Sequence, residues 1–242
     1  MGAELRNVTV HVDTGRWSET VLDSVDIAVP DGQITALLGE SGCGKSMLAA
    51  ALTGLLPEPA RSTGHVLVNG TLVRDQRQWR RLRGRTIGLL PQAGVDAFSS
   101  TETVGAQLHD LERHHGRWTI ERACTAARYP TELFDLYPGE HSGGQIQRAA
   151  LAAALLPAPD ILVADEPTAS LDTELAYEVW VTLYKYAAGG AAVLAITHDV
   201  PMLTATDVAD RLVLMRAGKI TATGDLAALN TLTDPYTRGF FP

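Results

Sequence analysis

Short apolar runs alternate along this chain with longer amphipathic stretches, an order that predicts a mixed α/β fold. Val8 to Val12 and Val21 to Val29 are β-branched runs parted by a polar, glycine-containing stretch, and they predict an antiparallel pair. Gln33 to Leu38 is an apolar-rich run that stops at Gly39, the pattern of a buried strand. Met47 to Leu56 predicts a helix stopped near Pro57. His65 to Val73 carries Asn69-Gly70 inside it and predicts a hairpin, and Thr86 to Leu90 predicts another buried strand. The middle then turns helical: Thr101 to Arg113, Trp118 to Arg128, and Ser142 to Leu156 with Ser142 as N-cap. Strands resume at Ile161 to Ala164, Ala192 to Ile196 and Arg211 to Met215, with a helix over Thr173 to Ala187. Strands alternating with crossover helices imply a parallel sheet. The expected organisation is one domain over 1–242. An α/β core with an antiparallel β portion covers about 1–92 and 158–242, and a helical insertion covers about 93–157.

Composition narrows the partners. A net charge of −8 argues against a nucleic-acid binder, which would carry a basic face. The one arginine-dense stretch, Arg74 to Arg85, reads as solvated surface, with docking to a partner as the alternative. Cys43 and Cys124 lie far apart and suggest free thiols in a reducing compartment. Met1 to Val12 shows no signal-peptide pattern, and no apolar run reaches the ~18 residues of a membrane span. The longest candidate, Ala149 to Ala164, is broken by Pro157, Pro159 and Asp160. A membrane role is therefore expected to come through a partner.

The chemistry concentrates in three places. Gly39-Glu40-Ser41-Gly42-Cys43-Gly44-Lys45-Ser46 fits the phosphate-binding (Walker A) pattern between a strand and a helix. Its glycines let backbone N–H groups converge on phosphates, and the helix behind presents its positive end. Lys45 can reach the outer phosphates, and the Ser46 hydroxyl can ligate Mg²⁺. Ile161 to Ala164 forms the second site, an apolar strand ending in Asp165-Glu166, where α/β sheets place ligands. Asp165 is suited to hold Mg²⁺ through water, and Glu166 to polarise an attacking water. The third is His141-Ser142-Gly143-Gly144-Gln145 at a helix start, which by composition alone could serve any anion.

Ser-Gly-Gly-Gln set between a phosphate loop and an Asp-Glu strand end resembles the signature of ATP-binding cassette (ABC) proteins, and the resemblance runs over essentially the whole chain. Gln92, after the Ile87 to Leu90 strand, resembles the family's Q-loop glutamine. Ala169-Ser170-Leu171-Asp172 resembles its D-loop, and His198 in Ile196-Thr197-His198-Asp199 its switch histidine. Trp17 stands where the family places an aromatic against adenine, with His11 nearby as an alternative.

The resemblance implies a P-loop NTPase-type ABC ATPase fold with a mixed central sheet, an antiparallel β subdomain and an inserted helical subdomain. It implies ATP and Mg²⁺, and two cassettes paired head to tail. ATP would lie between the loop from Gly39 to Ser46 of one cassette and Ser142, Gly143, Gly144 and Gln145 of the other, with Asp172 beside them. Glu166, His198 and Gln92 would act in catalysis, and Ser46, Gln92 and Asp165 would serve the metal. The helical block would receive transmembrane permease subunits, placing the protein at the cytoplasmic face of the cell membrane and, indirectly, in contact with an extracytoplasmic solute-binding protein. A different, related cassette is favoured over a second copy as the pairing partner.

Two details refine the resemblance. Leu136-Tyr137-Pro138-Gly139-Glu140 and Asp234-Pro235-Tyr236-Thr237-Arg238 are similar to blocks of peptide and nickel importer ATPases, although Asp234 replaces a usual His. The cysteine-bearing extension of longer members has no counterpart, so no iron–sulfur cluster is expected. His141 stands where the family usually carries an apolar residue; a harmless substitution is the expectation, with a pH effect on ATP-driven pairing as the alternative. An amino-acid or metal-chelate importer is the alternative within the family. A DNA-repair cassette needs a long coiled coil between Gln92 and Ser142, and a translation-factor cassette needs a second cassette in the chain; neither fits.

Overall fold

The computed structural model describes residues 2–241. The chain opens with β1 (Ala3–Asp13) and β2 (Ser18–Val29), paired antiparallel as the two β-branched runs predict. β3 (Ile34–Gly39) is buried along its whole length and feeds α1 (Lys45–Thr53). This helix stops earlier than expected, at Gly54 in the left-handed region, rather than at Pro57. β4 (Ala60–Val68) and β5 (Thr71–Val73) form the hairpin around Asn69-Gly70, both at positive φ as a tight two-residue turn demands.

The arginine-dense stretch is solvated surface at most of its arginines, as expected, with one buried anchor. It folds as α2 (Gln76–Leu82), capped by the Asp75 carboxylate, which accepts from the Gln78 amide. Its arginines stay largely at the surface, but Trp79 is buried against Gly54, and Arg83 donates to the Gly54 carbonyl at 2.9 Å. The stretch docks onto its own domain. Gly54 sits at φ 66, and a Cβ there would lie 2.2 Å from the Trp79 ring. Gly54→Ala is therefore expected to cost about 2–5 kcal/mol, from the left-handed backbone and from overpacking. Urea unfolding measures it; a loss below about 1 kcal/mol would mean the ring can move aside at little cost.

β6 (Ile87–Leu90) leads into α3 (Val104–His115), α4 (Ile120–Ala127) and α5 (Gly143–Leu155), with short 3₁₀ turns between. The core resumes with β7 (Ile161–Asp165), α6 (Thr173–Ala188), β8 (Ala192–Ile196), α7 (Val200–Thr206) and β9 (Arg211–Arg216). It ends with β10 (Lys219–Gly224), α8 (Leu226–Asn230) and α9 (Pro235–Arg238).

Among the described residues the strands gather into two sheets. One is antiparallel, in the order β2-β1-β4-β5. The other runs β10-β9-β3-β8-β7-β6, parallel from β9 to β6, with β10 added antiparallel at the edge. The central sheet is thus mixed. Strands β3, β7 and β8 are buried on both faces, which is why they read as near-continuous apolar runs. β10 alternates exposed and half-buried positions and follows the tight Ala217-Gly218 turn. Its small and polar residues carry no strong strand signal, so the pattern missed it.

Candidate active site

β3 leaves the sheet into the loop that joins it to α1, and the packing around that loop explains its glycines. A Cβ on Gly39 would stand 2.4 Å from the Met215 carbonyl, and one on Gly44 would stand 2.9 Å from Val21 O. Gly42 and Gly44 hold positive φ, 78° and 110°. No side chain caps α1, whose N-cap is Gly44, so its first amides are left for an anion. Lys45 Nζ donates to the Gly39 and Glu40 carbonyls at 2.7 and 2.9 Å, which draws its charge over the loop. Cys43 is buried in the core with its sulfur 4.0 Å from Lys45 Nζ, and burial raises its pKa.

β7 delivers the two carboxylates at its C-terminal end. Burial pushes the Asp165 carboxyl above the usual range, opposed by a hydrogen bond from Ser46. Glu166 sits at φ 50, an uncommon conformation for a side-chain-bearing residue, and its amide donates to Ile196 O at 2.9 Å. That kink turns the Glu166 carboxylate toward the next strand end, where His198 Nδ1 approaches Oε1 at 2.9 Å. A carboxylate only accepts, so Nδ1 carries the proton in this contact.

Gly39, Glu40, Ser41, Gly42, Gly44, Lys45, Ser46, Gln92, Asp165, Glu166 and His198 line one cavity of about 690 Å³. Its size suits a nucleotide's phosphates and metal, and it lies at the C-terminal ends of the parallel strands. A larger cavity of about 830 Å³ opens between α4 and α6, near the strands' opposite ends, and holds none of the motifs. Ser46 and Asp165 offer hard oxygens from a hydroxyl and a carboxylate, a pair that fits Mg²⁺ sharing phosphate and water ligands. Among the described residues no three His, Cys, Asp or Glu gather to cage a metal, so phosphate oxygens would have to complete the set.

Other predicted residues stand outside this cavity. Trp17 is exposed in the β1–β2 turn. His11 has both ring nitrogens engaged, by Ser18 and Thr20. Asp172 caps α6, accepting from the Leu175 amide at 2.9 Å. Ser142 caps α5 in a reciprocal box: its hydroxyl accepts from the Gln145 amide, while the Gln145 side chain accepts from the Ser142 amide. Gly143 and Gly144 abut Ser170 and Leu171, where any Cβ would come within 3.1 Å of a neighbour. Ser142 to Gln145 therefore form a second surface of the same chain, apart from the phosphate loop.

His141 finds a polar partner for each ring nitrogen. Its Nδ1 meets the Tyr137 carbonyl at 2.9 Å, and its Nε2 meets the Tyr129 hydroxyl at 2.8 Å. Gln147, which the sequence reading passed over, is buried on α5 and donates to the Pro91 and Glu166 carbonyls, both at 3.4 Å. It ties the signature helix to the segment before Gln92 and to the kink at Glu166. Gly94 explains how that segment comes so close: a Cβ there would sit 2.7 Å from the Ile146 carbonyl.

The family model described as ABC transporter matches residues 22–169. A "Probable peptide ABC transporter ATP-binding protein" of Sinorhizobium fredii is 33% identical over 97% of this chain and 74% of its own length. A "Metal-staphylopine import system ATP-binding protein" of Staphylococcus aureus is 32% identical over 87% of this chain and 82% of its own. A solved dimeric bacterial ABC transporter cassette, 23% identical, superimposes with a TM-score of 0.82 over 93% of this chain and 98% of that one. A family model over more than half of the chain, with relatives above 30% identical, leaves one assignment: the chain belongs to the ABC transporter family and carries its ATP-hydrolysing domain.

Proposed function

We propose that this chain is the ATPase subunit of an importer for peptides or for a small solute that carries a metal such as nickel. One observation carries the mechanism: Lys45, Asp165, Glu166 and His198 share one cavity, while Ser142 to Gln145 lie outside it. In this reading the loop amides and Lys45 bind the phosphates of ATP, and Ser46 and Asp165 hold Mg²⁺, with Gln92 beside them. The metal, when bound, supplies charge neutralisation at the outer phosphates. Glu166 accepts a proton from the water whose oxygen attacks the γ-phosphorus, while the bond to the bridging oxygen breaks and ADP leaves. His198 holds the Glu166 carboxylate in place.

The second surface completes the site of another cassette, with Ser142 and Gly144 reaching the γ-phosphate bound there. A γ-phosphate shared by two surfaces favours the closed pair, and hydrolysis removes that preference. The reading places the protein at the cytoplasmic face of the membrane, against permease subunits and a second, related cassette. The solute-binding protein acts from the far side. The import-system relative supports the direction of transport, and the substrates in the two relatives' names support peptides and metal chelates.

Reconstitution with candidate permeases in proteoliposomes tests it. A binding protein loaded with peptide or metal chelate is expected to raise ATP hydrolysis several-fold. Turnover indifferent to permeases and loaded binding protein alike would sink the importer reading.

A further inference from the structure

The segment after β10 carries an Asp-Pro-Tyr-Thr block that the hydrolysis chemistry leaves unused, and the fold gives it a place behind the phosphate loop. The Asp234 carboxylate caps α9, accepting from the Tyr236 and Thr237 amides at 3.0 and 3.3 Å. Thr237 is buried beneath that cap. The anchored turn aims Tyr236 at the loop. Its hydroxyl donates to the Met215 carbonyl at 2.7 Å and accepts from the Glu40 amide at 3.3 Å, across 196 residues of sequence. One proton given and one received suit a single phenol. Met215 O is the same carbonyl that crowds Gly39, so Tyr236 joins the strand behind the loop to the loop's outer arm.

Two further contacts fix the ring. The Arg216 guanidinium lies over Tyr236 at 4.8 Å, and Phe240 meets it edge-on at 5.2 Å. Phe240 also lines the cavity that holds Lys45 and Glu166. On the loop's other flank, the Gly218 amide donates to the Cys43 carbonyl at 2.9 Å. The loop is thus braced by the β9–β10 turn on one side and by the α9 segment on the other.

We propose that Tyr236 is a positioning residue for ATP binding, setting the outer arm of the phosphate loop through the Glu40 amide, and that Phe240 forms part of the nucleotide-cavity wall. Without the phenol, the Glu40 amide loses its partner and the loop samples arrangements that do not converge on phosphate. The cost falls on binding, because Glu166 and His198 are held by other strands. The proposal rests on the nucleotide reading of the cavity.

The test is Tyr236→Phe in the full chain, which keeps the ring against Arg216 and Phe240. Affinity for a fluorescent ATP analogue is expected to weaken about five- to tenfold, with turnover at saturating ATP changed by less than about twofold. An affinity within twofold of wild type overturns the proposal, whatever happens to the melting temperature, since a purely structural tyrosine would move only the latter. Hydrogen exchange on the wild-type chain gives a reading that needs no variant: the Glu40 amide is expected to be protected, and free exchange there overturns the proposal. A wild-type chain that does not bind the analogue would instead refute the nucleotide reading itself.

Discussion

Replacing Glu166 by Gln is expected to leave ATP affinity within about threefold of wild type and to lower turnover by about 10²–10⁴-fold. The substitution changes little in shape. An amide oxygen can still accept from His198 Nδ1–H, which lies 2.9 Å from the carboxylate, and the kinked backbone at φ 50 is untouched. What disappears is the basicity that takes the proton of the attacking water. In the proposed site ATP binding survives, because its contacts would come from the loop amides, Lys45 and Ser46. With the γ-phosphate no longer removed, the closed pair should accumulate, visible as a dimer in size-exclusion chromatography with ATP and Mg²⁺. Glu166→Ala is a poorer variant, because it also strips His198 of its partner. Turnover above about a tenth of wild type in Glu166→Gln would assign the base to another group.

The chemistry was legible in the sequence where it is local. A phosphate loop needs contiguous glycines, and a strand-end carboxylate pair needs contiguous apolar residues before it, so Gly39 to Ser46 and Ile161 to Glu166 announce themselves. Ser142 was legible as a cap because capping is a four-residue event, and the structure shows the reciprocal box with Gln145. Long-range placement was not legible. Tyr236 meets Glu40 across 196 residues, and nothing near either residue foretells it. Gln147 looks like any polar residue on a helix until α5 is packed against the segment around Gly94. Trp79 was masked by its arginines: a charge-rich heptapeptide reads as solvated surface unless its one large apolar side chain is given a partner, which Gly54 supplies. His141 taught the converse. Judged by position it replaces an apolar residue, yet its two ring nitrogens find a carbonyl and a hydroxyl, so a polar side chain fits without an orphaned group.

These placements share a logic. The loop and the strand-end carboxylates are fixed by the central sheet, and α5 packs its buried face on that same core while polar and glycine contacts tie it to the carboxylate kink. Gln147 to Pro91 and Glu166 is one, and Gly143 and Gly144 against Ser170 and Leu171 is another. A movement of the helical block against the sheet would therefore reach the carboxylate kink and the 169–172 loop first. In the importer reading, that is where the cassette would sense the permease it drives.

Gly144→Val separates binding from hydrolysis more sharply than any change inside the cavity. Gly144 does not line that cavity, so a chain carrying Val there is expected to bind ATP with affinity within about twofold of wild type. Hydrolysis is another matter. The added side chain would meet Ser170 O and Leu171 of its own chain and displace the surface that, in the proposed pairing, Gly144 offers to a partner's γ-phosphate. The backbone amide at this position is kept but would be moved out of reach, and losing the use of one donor costs about 10²–10³-fold in comparable anion sites. A pair of identical chains is expected to lose at least about a hundredfold in turnover, whereas pairing with a different cassette would spoil only one of the two sites. Gly144→Ala controls for packing, because its Cβ would stand 3.0 Å from Ser170 O, a contact that a few tenths of an ångström relieve. Equilibrium binding on the isolated chain and steady-state hydrolysis on the pair are the two measurements. Should binding to the isolated chain collapse together with hydrolysis, the signature would belong to the same nucleotide as Lys45, and the shared-site mechanism would have to be abandoned.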